Sequence, residues 1–144
     1  MANYFTDNPE LAFHLDHPLM KRVVELKERN FADKEEYADA PVDYEDALEN
    51  YKRVLDITGD IAANILEPNS EEVDQEGPHL VDGRMIYASK TYENLDATRK
   101  AGLWGLSMPR RYGVSFMNIA MQTAVTAFFT ASPRVPHSHN EHSL

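Results

Sequence analysis

Apolar residues recur along this chain in blocks separated by breakers, and each block predicts an element. Asn8 followed by Pro9 reads as an N-cap with proline at the first helical position, opening a short turn through Leu11, Phe13 and Leu15. Pro18 cannot sit inside a helix, so a second start falls there. From Pro18 to Asn30, Leu19, Met20, Val23, Val24 and Leu26 define one helical stripe, and Lys21, Arg22, Glu25, Lys27, Glu28 and Arg29 fill the other positions. Phe31 to Val42 is polar and acidic, with Pro41 as a breaker.

Asp43 then reads as an N-cap, with Glu45 and Asp46 in a first turn that the helix dipole favours. The clearest helix runs from Tyr44 to Leu66. Tyr44, Leu48, Tyr51, Leu55, Thr58, Ala62 and Ile65 alternate at spacings of four and three, and Val54, Ile57 and Ile61 widen the stripe. A face that wide packs against more than one partner helix. Gly59 weakens the helix locally, by about 1 kcal/mol relative to Ala, and Pro68 is expected to end it. Asn69 to Pro78 reads as an acidic loop. Leu80 to Tyr87, with Asp82-Gly83 between short apolar runs, predicts a hairpin. Thr91 to Ala101 predicts a helix with Tyr92, Leu95 and Ala101 inward, Arg99 and Lys100 in its last turn, and Gly102 as the stop.

Composition changes the picture beyond Gly113. The chain has 144 residues, one domain's worth, with 14 Lys+Arg against 24 Asp+Glu and a net charge of −10. Residues 1–113 hold all of these except Glu141 and Arg134, and Tyr112 to Pro133 is uncharged. A boundary near Gly113 follows. Beyond it, Val114 to Ser132 allows helical periodicity through Phe116, Met117, Ala120, Met121, Ala124, Val125 and Phe128, and a disordered end is expected after Pro133. The acidic balance argues against nucleic-acid binding, which needs a basic footprint. The absence of cysteine excludes disulfides, thiolate zinc sites and a cysteine nucleophile. The first residues carry no signal-peptide pattern, so a cytoplasmic location is expected.

A family resemblance emerges from Leu80-Val81-Asp82-Gly83, the helix Thr91 to Ala101, and the run from Ala101 to Gly113, Ala-Gly-Leu-Trp-Gly-Leu-Ser-Met-Pro-Arg-Arg-Tyr-Gly. In order and spacing these resemble the N-terminal helical domain of acyl-CoA dehydrogenases, in which a helix ends in a Gly-Leu-x-Gly-Leu-like turn, then a proline, then a Tyr-Gly-Gly-like motif. The helix ending in Glu67-Pro68 is similar to that family's second major helix. The resemblance covers residues 1–113 and is specific over 80–113. It implies an all-α helical bundle with a small β-hairpin, incomplete by itself. It also implies a parent activity of FAD-dependent α,β-dehydrogenation of an acyl-CoA thioester, with an electron-transfer partner and a homo-oligomer.

Two departures bear on that expectation. Val114 stands where the family has a second glycine. The family then continues into a β-rich middle domain and a four-helix C-terminal domain. Its FAD lies between those two domains and its catalytic carboxylate in the last, and neither domain fits in residues 114–144. No catalytic residue and no flavin ligand is therefore carried over. The chain reads as a truncated or frame-shifted N-terminal part, inactive alone and binding no FAD by itself. The alternative is a self-contained helical interaction module, with Val114 to Ser132 covering its open face.

The remaining candidate groups favour plain readings. His137, His139 and His142 lack a second shell for a metal. His14 and His17, flanking Asp16, are expected to be exposed around a helix start. Glu71, Glu72, Asp74 and Glu76 lack the glycine and terminal glutamate of a calcium loop, and with Asp33, Glu35, Glu36 and Asp39 read as solvated acids. Arg110 and Arg111 beside Tyr112 could touch a phosphate of CoA or flavin but read better as a solvated turn. Trp104 is expected to anchor a core or a domain interface. The uncharged stretch 112–133 is long enough to span a bilayer, but Asn118, Gln122 and its threonines argue against that.

Overall fold

The computed structural model describes residues 2–106 and 108–112. The boundary at Gly113, the helix at Val114 to Ser132, and His137, His139 and His142 lie outside them. The described part is mostly helical with a two-stranded antiparallel sheet, in the order α1 (Pro9–Leu15), α2 (Met20–Lys27), a 3-10 segment (Arg29–Glu35), α3 (Tyr44–Ile61), a π turn (Ala62–Leu66), α4 (Glu67–Glu76), β1 (His79–Val81), β2 (Arg84–Ile86), α5 (Ser89–Lys100) and a 3-10 turn (Arg110–Tyr112).

The local signals hold. Asn8 accepts from the Glu10 N–H at 3.1 Å and Asp43 from the Asp46 N–H at 2.9 Å, so both caps satisfy an otherwise orphaned donor. The hairpin pairs Leu80 with Met85 and Val81 with Arg84. Asp82 at φ 50° and Gly83 at φ 76° form the turn, in the left-handed backbone such a two-residue loop requires. α5 closes in a Schellman motif: Gly102 N–H bonds Arg99 C=O at 3.0 Å and Leu103 N–H bonds Thr98 C=O at 3.1 Å. That motif turns Leu103 and Leu106 into a core with Leu15, Val24, Tyr51 and Leu55. Leu55, 1% exposed, contributes roughly 1.5–3 kcal/mol by its burial alone.

Pro68 does not end the long helix. The chain widens into the π turn, in which Glu67 N–H bonds Ala62 C=O five residues back, and then continues as α4. The wider turn places Pro68 in the first turn of α4, where its missing N–H costs least. The expected loop from Asn69 is therefore helical as far as Glu76, with Asn69 buried and its amide donating to Asn94 at 2.8 Å.

Gly59 also has a different meaning from a weak point. The N-terminal segment crosses α3 there, with Tyr4 N–H bonding Gly59 C=O at 3.3 Å. A Cβ on Gly59 would stand 2.3 Å from Asn3 Oδ1 and 2.7 Å from Phe5 N, so only glycine admits this approach. Asn3 fixes the crossing by donating to the Asp56 carbonyl and carboxylate, both at 3.0 Å.

The inward faces of two helices depart from the pattern. On α2 Val24 is buried, whereas Leu19, Val23 and Leu26 are exposed. Apolar residues occupy two sides of this short helix, and periodicity alone does not choose between them. On α5 Tyr92 and Leu95 are exposed and Thr98 is buried. The Thr98 hydroxyl donates to the Leu95 carbonyl at 3.0 Å and accepts from the Trp104 indole N–H at 2.8 Å, so its burial leaves nothing unpaired.

Candidate functional site

Two places concentrate chemistry. The first is a buried polar cluster that joins α2, α3 and the 3-10 turn Arg110–Tyr112. α2 presents Val24 to the core, and Glu28 follows one turn later on the same side. Its side chain is 1% exposed and meets Arg110, itself 5% exposed, at 2.8 Å. The other Glu28 oxygen accepts the Tyr51 hydroxyl from α3. Arg110 also reaches Asp33 at 3.4 Å, and its Nε is buried with no partner among the described residues. Burial first, and then the bond to Glu28, pushes the Tyr51 hydroxyl pKa upward. Both carboxylate oxygens and both terminal nitrogens of the pair are engaged, so the cluster is a clasp between residues far apart in the chain rather than a reagent.

The clasp overturns the solvated-turn reading for Arg110, and for Asp33, whose side chain is 18% exposed and also bonds Arg29 at 3.0 Å. Arg111 stays exposed, its guanidinium 4.9 Å from the Tyr112 ring centroid. Between Glu28 and Asp33 the backbone of Arg29, Asn30 and Phe31 lies at φ 53°, 51° and 60°. Three consecutive left-handed residues other than glycine cost about 1–2 kcal/mol each, somewhat less for Asn. The burial of Glu28, the bond it accepts from the Tyr51 hydroxyl and this turn escape a reading of the sequence, which places Tyr51 only on the inward stripe of α3. The available signal is that Glu28 lies four residues after Val24 on the buried side.

The second place is a groove of about 390 Å³ lined by Leu66, Thr91, Asn94, Leu95, Thr98, Leu103 and Trp104. The π turn supplies Leu66, α5 the middle residues, and the Schellman turn Leu103 and Trp104. The indole bond to Thr98 holds Trp104 at the rim, where it is 59% exposed rather than buried in the core. Apolar atoms dominate the lining, so the groove suits a hydrocarbon chain.

The other sequence candidates stay apart from both places. His14 and His17 are exposed and stack edge-on against Phe13, while Asp16 pairs with Lys52 at 3.1 Å, in keeping with a helix start. Glu71, Glu72, Asp74 and Glu76 are exposed along α4. Glu76 accepts the Ser89 N–H at 2.9 Å and hydroxyl at 2.8 Å, which hold its carboxyl below the usual range. Among the described residues no group of three or more His, Asp or Glu could hold a metal, and no helix is long and apolar enough to cross a membrane.

The fit to a flavin can be tested on the same geometry. A flavin's pyrophosphate needs free cations or a row of unpaired N–H groups. Arg110 is committed to Glu28 and Asp33, and the groove's Thr98 hydroxyl is committed to Trp104 and Leu95. Neither the clasp nor the groove therefore leaves a free cation for a pyrophosphate. Compared with family models, curated proteins and solved structures, the chain matches none.

Proposed function

We propose that residues 2–112 act as the helical wall of an acyl-CoA dehydrogenase-like flavoenzyme, lining the apolar part of an acyl thioester's site and excluding water from it. One observation carries this reading. The groove takes Leu103 and Trp104 from the same run, Gly102 to Leu106, that carries the resemblance, and its lining is largely apolar. A wall of this kind contributes binding and desolvation. The base and the flavin of such an enzyme, which take a proton and a hydride from the acyl chain, lie outside this domain. Acyl-CoA, an electron-transfer partner and a homo-oligomer belong to the same proposal, and the chain by itself is expected to be inactive.

The test is to resequence the coding region from codon 100 onward and read all three frames. A frame that resumes with a β-rich flavin-binding domain supports the reading; no such continuation in any frame overturns it. Oxidation of an acyl-CoA by the chain alone would overturn the assignment of the chemistry to other domains.

The second reading, a self-contained helical interaction module, draws on the clasp. Arg110 ties the turn after α5 back to Glu28 at the end of α2, across 82 residues of sequence, a contact suited to a domain that folds alone. Cooperative thermal unfolding with dispersed NMR signals favours it, and a dye-binding, uncooperative state counts against it.

A further inference from the structure

We infer that Trp104 sets the length of straight acyl chain that the groove accepts; this inference rests on the acyl-groove reading and adds its selectivity. Four lining residues, Thr91, Asn94, Leu95 and Thr98, stand at i, i+3, i+4 and i+7 of α5, so the groove runs along that helix. From Thr91 to Thr98 the helix rises about 10 Å, the span of an extended chain of about eight carbons. Trp104 stands at the Thr98 end. The chain turns back at Gly102, and the indole N–H then donates to the Thr98 hydroxyl at 2.8 Å. That hydroxyl is itself fastened, donating to the Leu95 carbonyl at 3.0 Å from a buried side chain. The ring is thus tied through Thr98 to the backbone of α5, a fixed end wall with Thr98 as its positioning residue. Carbons lodged between Thr91 and the indole lose water, and carbons beyond it gain nothing further.

The charges along α5 select the form of the acyl group. Lys90 is paired with Glu93, and Arg99 and Lys100 are both paired with Asp96. These are the cations of the helix, so it holds none in reserve for a free carboxylate. A free fatty acid would also bring its negative charge to a chain of net charge −10. An acyl group joined as a thioester carries no charge at that point, and its chain enters the groove without a carboxylate to desolvate.

The experiment titrates the full isotope-labelled chain with S-acyl-N-acetylcysteamine thioesters from butanoyl to dodecanoyl, followed by the amide NMR shifts of Thr91, Leu95 and Leu103. Affinity is expected to rise about fivefold or more for each two carbons up to octanoyl, and by less than about twofold beyond it. Trp104→Ala should carry the rise on by at least two carbons, so that decanoyl binds about fivefold tighter than to the parent while butanoyl binds as before. Thr98→Val removes the indole's acceptor and keeps the ring, and should shift the break part of the way. Trp104 is exposed, so circular dichroism of Trp104→Ala should match the parent. A rise unbroken to dodecanoyl in the parent, a break that Trp104→Ala leaves in place, or octanoate bound as tightly as the octanoyl thioester would overturn the inference and leave the wall reading standing. No shift with any thioester would overturn both.

Discussion

Replacing Arg110 by Met should destabilise the fold by about 3–5 kcal/mol, the range for breaking a buried ion pair from one side. The size follows from the clasp. Arg110 and Glu28 meet at 2.8 Å with side chains 5% and 1% exposed, so little water screens them. At that separation the attraction is worth roughly 4 kcal/mol or more at an effective dielectric near 20. Arg110→Met removes it and leaves Glu28 desolvated, with only the Tyr51 hydroxyl as partner. Methionine keeps much of the stem's volume, so a cavity term adds little. Removing both charges together, Glu28→Leu with Arg110→Met, also removes the desolvation cost. The double variant should recover part of the loss, since the Tyr51 hydroxyl is left buried without its acceptor, and a coupling above about 2 kcal/mol is expected from the cycle. Urea unfolding followed by far-ultraviolet circular dichroism and by Trp104 emission measures all four proteins. A loss below about 1 kcal/mol for Arg110→Met, the level of a surface pair, would refute the reasoning.

Gly59→Ala should cost about 1–3 kcal/mol, although alanine is the better helix former, because its Cβ would meet Asn3 Oδ1 at 2.3 Å; calorimetry and faster proteolysis near residue 5 would register it, and a raised Tm would exclude the crossing. Asn30 sits at φ 51°, so Asn30→Val should cost about 1–2 kcal/mol while Asn30→Gly stays within about 0.5 kcal/mol; equal effects in denaturant unfolding would contradict the left-handed turn. Burial and the 2.6 Å bond to Glu67 raise the Tyr4 hydroxyl from 10.0 to about 12. The folded state therefore holds that proton more tightly, and the associated stability is complete below pH 10 and lost as pH rises to about 12. Tyr4→Phe should flatten part of that fall, and an unchanged alkaline profile would sink the assignment.

The parts legible in the sequence are those a few neighbouring residues decide. Asn8 and Asp43 cap because their short side chains reach the next turn's N–H groups, and Asp82-Gly83 turns because both residues tolerate positive φ. Gly102 stops α5 for the same reason. The continuation through Pro68 was not legible, because it depends on how the preceding turn widens, and the residues from Ala62 to Leu66 carry no mark of that. Arg110 read as solvated because its partner, Glu28, lies 82 residues away along the chain. The groove was legible only in Trp104, since Leu66 joins it through the π turn and Thr98 through a burial its polarity argues against.

The clasp also bears on why the groove has one shape. Leu103 and Leu106 bind the core through apolar contacts, which tolerate sliding, whereas the Arg110 fork accepts few arrangements around Glu28 and Asp33. The strain at Arg29 to Phe31 sits between those two carboxylates and helps aim both at one guanidinium. Stability and register are thus separable. A Glu28→Leu, Arg110→Met protein would recover part of its stability while losing the feature that pins the turn after α5. Since that turn carries both Leu103 and Trp104, the groove's rim is where the loss should show, as a broader and redder Trp104 emission at unchanged helix content.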